Sequence, residues 1–149
     1  MNINKEIILK EKIPLIELKI RNKKYHFLLD TGSSDSILHK KYKDILVEEN
    51  AKSVSSDTLQ TGLGNTEEVE YYELPIFLDD WFMQQWFAFA SIDLVDYLSE
   101  ATGKEVIGII GMDFLVKTNA FINFKNLKII YELGNRINDR NLFLKRTLQ

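Results

Sequence analysis

Apolar residues in this chain come mostly in short β-branched and aromatic runs broken by small polar turns, a pattern that favours strands over long helices. The run Pro14-Leu15-Ile16-Glu17-Leu18-Lys19-Ile20 alternates apolar and polar from Leu18 onward, as a half-buried strand does. Arg21-Asn22-Lys23 follows as a tight turn, because asparagine tolerates left-handed backbone, and Tyr25 to Leu29 forms the return strand that delivers Asp30 at its end. Ile7 to Lys10 adds a strand before this hairpin. Asp79-Asp80 reads as the turn of a second hairpin, between strands over 68–78 and 81–90. Lys125-Asn126 reads as that of a third, between 120–124 and 127–132. Ser36 to Leu46 mixes apolar and charged residues and predicts a short helix, and 47–58 reads as a polar loop running into a strand. Ser91 is placed to cap a helix from Ile92 to about Glu100, with Gly103 just past its end. Val106 to Ile110 is the continuous apolar run of a strand buried on both faces, and 111–115 turns into a short helix. No repeat, linker or low-complexity segment breaks the 149 residues, so one mostly-β domain is the economical reading.

Composition narrows the function classes. With 45% hydrophobic and 28% charged residues, the chain is an ordinary globular one, long enough to bury a core without covalent staples. It has no cysteine, which excludes a disulfide scaffold, a thiolate zinc site and a cysteine nucleophile. Two histidines are too few for a histidine-built metal centre; His26 falls within a strand and His39 in a basic run, so neither reads as catalytic, and no cofactor is expected. No apolar stretch approaches the ~20 residues that cross a bilayer, and the first residues show no uncharged signal-peptide core, so a cytoplasmic location without membrane contact is expected. The net charge of −3 is unevenly spread: ten basic and five acidic residues through 43, two and fifteen over 44–113, seven and two from 114 onward. That is not the basic stripe with interleaved aromatics of a nucleic-acid binder. The acidic middle is either a solvated surface or a wall beside a cleft that would favour basic ligands.

The residues that carry chemistry are Phe27-Leu28-Leu29-Asp30-Thr31-Gly32-Ser33-Ser34, which place a carboxylate where a buried apolar strand ends in a glycine turn. A carboxylate beside low-dielectric walls needs a partner or hydrogen bonds. Gly32 allows close backbone approach and lets amides point at it, while Thr31 and Ser33 add hydroxyls. About eighty residues later comes Ile107-Gly108-Ile109-Ile110-Gly111-Met112-Asp113-Phe114-Leu115, two aliphatic residues and a glycine entering a short helix. Each motif alone is unexceptional; their combination, in this order, is informative. Thr61-Gly62-Leu63-Gly64-Asn65 between them is the strongest turn signal in the chain.

Together these residues resemble the retropepsin-like aspartic peptidases, the single-domain relatives of pepsin that include retroviral proteases. The resemblance spans roughly residues 5 to 132, specific in the two motifs and loose elsewhere. It implies an all-β acid-protease closed barrel with one or two short helices, acting as a homodimer. Asp30 would be the catalytic aspartate, Thr31 would tie the two active-site loops together across the subunit interface, Gly32 would offer its backbone to substrate, and Ser33 would hydrogen-bond the carboxylate. Gly62, Leu63 and Gly64 would form the flap tip over the cleft, and Ile109, Ile110 and Gly111 would thread beneath the active-site loop. Two features depart from the minimal retroviral pattern: the flap has two glycines separated by Leu63, and the chain continues past Glu132. Residues 1–132 are therefore read as the peptidase domain, and 133–149 as a tail that is either disordered or packed at the dimer interface.

Hydrolysing a peptide bond without a metal calls for two carboxylates sharing one proton, one acting as base towards water while the other donates to the carbonyl oxygen. The sequence holds a single Asp-Thr-Gly, and Asp113 reads as a helix-start residue rather than a second catalytic acid. The expected function is therefore an aspartic endopeptidase in which Asp30 of each copy meets its equivalent across a twofold axis, with a peptide or protein as substrate. Its rival is a silent peptide-binding or scaffold domain on the same fold; an unrelated β-barrel with a chance motif would bring no two copies of Asp30 together.

Overall fold

The computed structural model describes residues 1–60 and 66–133. The expected flap tip, Gly62, Leu63 and Gly64, and residues 134–149 of the expected tail lie outside them. In chain order the elements are β1 (Asn2–Glu6), β2 (Ile8–Lys10), β3 (Ile13–Ile20), β4 (Lys23–Leu29), β5 (Ile37–His39), a 3₁₀ turn over Lys40–Tyr42, and α1 (Lys43–Leu46). There follow β6 (Val54–Gln60), β7 (Thr66–Leu78), β8 (Trp81–Ala90), α2 (Asp93–Thr102), β9 (Val106–Ile110), α3 (Met112–Lys117), β10 (Ala120–Asn123) and β11 (Lys128–Glu132).

The larger sheet runs β2-β3-β4-β9-β5-β8-β7-β6, and pairing of Lys19 on β3 with Phe77 on β7 closes β3, β4, β9, β5, β8 and β7 into a six-stranded barrel. Its interior is the main core, in which Ile16, Leu18, Phe27, Leu38, Ile76, Phe87, Ile107 and Ile110 are almost wholly inaccessible and the Phe27 and Phe87 rings stack at 6.0 Å. Each such side chain contributes roughly 1.5–3 kcal/mol on burial. The smaller sheet, β1-β11-β10, is held to the barrel through Ile3, Ile129 and Tyr131. The all-β, few-helix reading of the sequence therefore holds, and the three expected hairpins form.

Local chemistry explains most element ends. Arg21 and Asn22 take φ of 50° and 65°, so the β3–β4 connection is a two-residue turn whose twist matches that of the strands. The amphipathic α2 buries Val95, Leu98 and Thr102 and ends at Gly103, whose φ of 70° is left-handed. Ser99 ties α2 to β9, its hydroxyl donating to Val106 O at 3.1 Å and accepting from Val106 N at 3.0 Å. All five residues of β9 are buried, as its apolar run implies.

Several local expectations are corrected. The helix expected over 36–46 is instead β5, a 3₁₀ turn and a single turn of α1, because Ile37 and Leu38 are taken by pairing with β8 on one side and β9 on the other. Such tertiary pairing outweighs local propensity. The N-cap of α2 is Ile92 rather than Ser91. β1 was not expected at all; only Ile3 of its five residues is buried, and its register with β11 sets it in place.

Candidate active site

Asp30 stands at the end of β4, which runs parallel to β9 with Leu29 opposite Ile110. Its backbone N–H donates to Ile110 O at 3.0 Å, so the two sequence motifs meet at this residue. The chain then turns sharply: Ser33 N donates to Asp30 O at 3.2 Å and Gly32 N donates to Asp30 Oδ1 at 2.9 Å. A Cβ at Gly32 would sit 3.2 Å from Asp30 Oδ1, so a side chain there would press on the carboxylate that its amide now holds. Asp30 is half-buried, and Thr31 and Gly32 are exposed. The Ser33 hydroxyl does not bond the carboxylate as expected: it donates to Asp35 O at 2.7 Å, because the turn carries it away from Asp30 towards the next stretch of loop.

Gly111 lies directly beneath this loop. A Cβ there would come within 2.6 Å of the carbonyl oxygens of both Ser33 and Asp35. Immediately after it, Met112 N donates to Ser33 O at 2.8 Å and Asp113 N to Ser34 O at 3.1 Å. The first amides of α3, which have no partners inside the helix, are thus satisfied by the loop that carries Asp30. Ile110 points into the core, while Ile109 faces the other way, so of the three residues expected to buttress the loop only Ile110 and Gly111 lie behind it.

A polar network unforeseen in the sequence completes the support. The fully buried Ser36 donates its hydroxyl to Asp113 Oδ1 at 2.7 Å and accepts from Gly111 N at 3.0 Å. Asp113 Oδ1 also accepts from Phe114 N at 2.8 Å, and Oδ2 from Gln85 Nε2 at 3.0 Å; the same Gln85 nitrogen donates to Trp86 O at 2.8 Å. Asp113 therefore does sit at a helix start and holds a first-turn amide, though the N-cap position itself belongs to Gly111. The histidines are structural: His39 Nδ1 accepts from Lys41 N, and His26 lies 3.4 Å from Glu17.

The outward face of the barrel beside Asp30 is apolar. Ile37, Val69, Ala88, Ala90 and Ile109 form a cluster separate from the core, with Leu28, Tyr71 and Ile92 packed against it. Leu28 precedes Asp30 by two residues, so strand alternation puts the carboxylate on the side of this cluster. A cavity of about 290 Å³ lined by Asn4, Lys5, Glu6, Ile8, Ile16, Glu17 and Tyr131 contains none of these residues. Among the described residues no group of three or more His, Asp or Glu is disposed to hold a metal ion, and no helix is long and apolar enough to cross a membrane.

Comparison with known proteins matches no family model and no curated protein. Solved structures do match. The chain is similar to the EIAV protease complexed with the inhibitor HBY-793, at a TM-score of 0.58 and 20% identity over 76% of this chain and 95% of that one. It is also similar to a retropepsin-like aspartic protease from Rickettsia conorii, at a TM-score of 0.55 and 20% identity over 87% and 92% of the two chains. The fold is retropepsin-like.

Proposed function

We propose that the chain is an aspartic endopeptidase acting as a homodimer, with one active site built from Asp30 of each copy. The observation that carries the reading is the Asp30 turn itself: a half-buried carboxylate at a strand end, held by Gly32 N at 2.9 Å, on a loop backed by Gly111 and by the first amides of α3. That rigidity is what a reacting carboxylate requires. Among the described residues one chain offers one such group, since Asp113 is enclosed by three donors. A second copy supplies the other.

In the proposed dyad the two carboxylates share one proton, because like charges at close range cannot both ionise. The ionised one takes a proton from water as it attacks the scissile carbonyl, and the protonated one donates to the carbonyl oxygen. The pair titrates as a unit. Thr31, exposed in the single chain, is free to meet the partner's loop, and the β6–β7 hairpin that leads to Gly62, Leu63 and Gly64 would cover the cleft. The proposed domain runs from residue 1 to 132, where Leu133 N donates to Met1 O beside the end of β11.

The test is cleavage of a diverse peptide library across about pH 3.5 to 7, which brackets carboxylate titration, by wild type and Asp30→Asn. Cleavage by wild type alone is the expected result. Absence of cleavage by folded, dimeric wild type would leave a peptide-binding domain, and equal cleavage by both proteins would remove Asp30 from the chemistry.

A further inference from the structure

The cavity of about 290 Å³ lies apart from the Asp30 loop, in the corner where the chain leaves β1 of the smaller sheet and enters β2 of the larger one. Asn4, Lys5 and Glu6 of β1 and Tyr131 of β11 line one side, and Ile8 of β2 with Ile16 and Glu17 of β3 line the other. Its volume is that of roughly ten waters, at the lower end of the range for small-molecule sites.

A cavity is suited to a ligand when polar groups of its lining are withdrawn from water and left without partners. Two such groups are present here. Tyr131 is 1% exposed, with its ring edge-on to Phe114 at 5.8 Å, and no group among the described residues hydrogen-bonds its hydroxyl. Burial holds this phenol well above its ordinary range, so it keeps its proton and can donate as well as accept. Glu17 is half-buried, and no donor among the described residues hydrogen-bonds its carboxylate. Lys24 Nζ stands 3.7 Å away on a side chain that is 70% exposed, and His26 Nε2, at 3.4 Å, is itself enclosed without a hydrogen-bond partner.

The other charges of the lining are already paired. Lys5 Nζ lies 2.8 Å from Asp79 Oδ1, and Glu6 Oε1 accepts from Lys128 Nζ at 3.2 Å. A ligand therefore meets one carboxylate, one phenol and the aliphatic surface of Ile8 and Ile16. A carboxylate beside an apolar wall is complementary to a cationic N–H donor on an apolar body, and it disfavours an anion of the same shape.

We propose that this cavity binds a small organic amine, with the ammonium at the Glu17 carboxylate and the apolar body between Ile8, Ile16 and the Tyr131 ring. The site does not depend on the peptidase reading, because none of its residues belongs to the Asp30 loop or to the outward apolar face. A ligand held there touches both sheets, so it stabilises the folded chain in proportion to its occupancy.

The experiment titrates the full chain with benzylamine, benzyl alcohol and benzoate, three probes of one shape and different charge, read by amide chemical shifts. It is run at about pH 7, where the amine is charged and carboxylates are ionised. Benzylamine is expected to saturate with a Kd of about 1 mM or below, shifting the amides of Ile8, Ile16, Glu17 and Tyr131. The alcohol and the benzoate should each bind at least about tenfold more weakly. Glu17→Gln, a near-isosteric change, should weaken benzylamine about tenfold, and Tyr131→Phe a few-fold, while Asp30→Asn leaves its Kd unchanged. No saturable shift up to about 20 mM, twenty times that Kd, overturns the proposal. So do equal affinities for the three probes, an unchanged Kd in Glu17→Gln, or shifts confined to the Asp30 loop. Should Glu17→Gln not fold, the three-probe series on wild-type protein decides alone.

Discussion

The Ser36 hydroxyl donates to Asp113 Oδ1 at 2.7 Å, a bond that joins two motifs 77 residues apart. Around that carboxylate every neighbour is a donor: Ser36 Oγ and Phe114 N at one oxygen, Gln85 Nε2 at the other. Asp113→Asn would turn one acceptor into a donor. The Gln85 amide has no easy way to turn round, because its nitrogen also serves Trp86 O at 2.8 Å. A buried donor left facing a donor costs about 1–3 kcal/mol. Urea denaturation should therefore show Asp113→Asn destabilised by that amount, and an unchanged midpoint would mean the network is not structurally important.

Two glycines should respond to alanine for different reasons. At Gly111 the new Cβ meets the backbone oxygens of Ser33 and Asp35 at 2.6 Å, and neither is a flexible side-chain end that can swing aside. Gly111→Ala should cost about 3 kcal/mol as overpacking and, by shifting the loop that carries Asp30, about 100-fold in kcat. At Gly103 nothing lies within 4 Å, and the cost is only that of a φ of 70°, about 1 kcal/mol. Gly103→Ala should lose that stability in denaturant and keep its activity. If the two variants lose kcat equally, the backing role of Gly111 is wrong.

These contacts mark where sequence reasoning reaches and where it stops. The placing of Asp30, Gly32, Ile110 and Gly111 was legible because each motif is contiguous and its residue types answer a local need: a strand end, a tight turn, a close approach; that Ile109 faces away from the loop was not. The hairpins at 21–22 and 79–80 were legible for the same reason, and Asp79 does take a left-handed φ of 52°. Ser36, Gln85 and Asp113 were not, since no local pattern says that a serine, a glutamine and an aspartate from three elements will share one set of hydrogen bonds. Nor was the Ser33 contact, because the direction of a hydroxyl depends on how the following loop folds back. β5 was read as helix for a related reason: three residues carry too little pattern to outvote the neighbours, and only the strands on either side define it.

Stability should fall on mild acidification. Burial holds the His26 imidazole below its ordinary value of 6.5, with Lys104 acting in the same direction and Glu17 and Glu105 opposing. Burial lowers His39 likewise, with Lys41 and Lys40 adding to it and Asp96 and Asp93 opposing. A histidine that binds its proton less readily when folded lets the unfolded chain take up more protons, so unfolding free energy rises with pH across this window. It is lost as pH drops from about 6.5 towards the lowered folded values. The lowered carboxylates, Glu70 beside Tyr72 and Lys43 and Asp96 beside Lys41, act only at lower pH. Denaturation at pH 7.5 and 5.5 should thus show a loss of stability at the lower pH that shrinks in His26→Gln. An equal loss in wild type and variant would assign the effect elsewhere.

Among the described residues of the β1-β11-β10 sheet, β10 pairs with β11 on one side only, and Phe121 and Phe124 at this edge are 55% and 57% exposed. An open strand edge with large apolar residues is a template for another strand. Here α3, whose first amides support the Asp30 loop, leads directly into it. Antiparallel pairing of β10 with its own copy about a twofold axis would continue the sheet across the dimer and draw the two Asp30 loops towards one axis. A lysine at each phenylalanine would bring like charges together in that arrangement while changing only exposed positions of the single chain. Phe121→Lys/Phe124→Lys should keep its thermal midpoint within a few degrees, the effect of surface changes of about 0.5 kcal/mol. Its dimer should dissociate at least about tenfold more readily in sedimentation, because charge repulsion and lost apolar burial then act together at the axis. Specific activity should fall on dilution and recover at high protein concentration. A variant that stays dimeric at wild-type concentrations would place the interface on another face of the molecule.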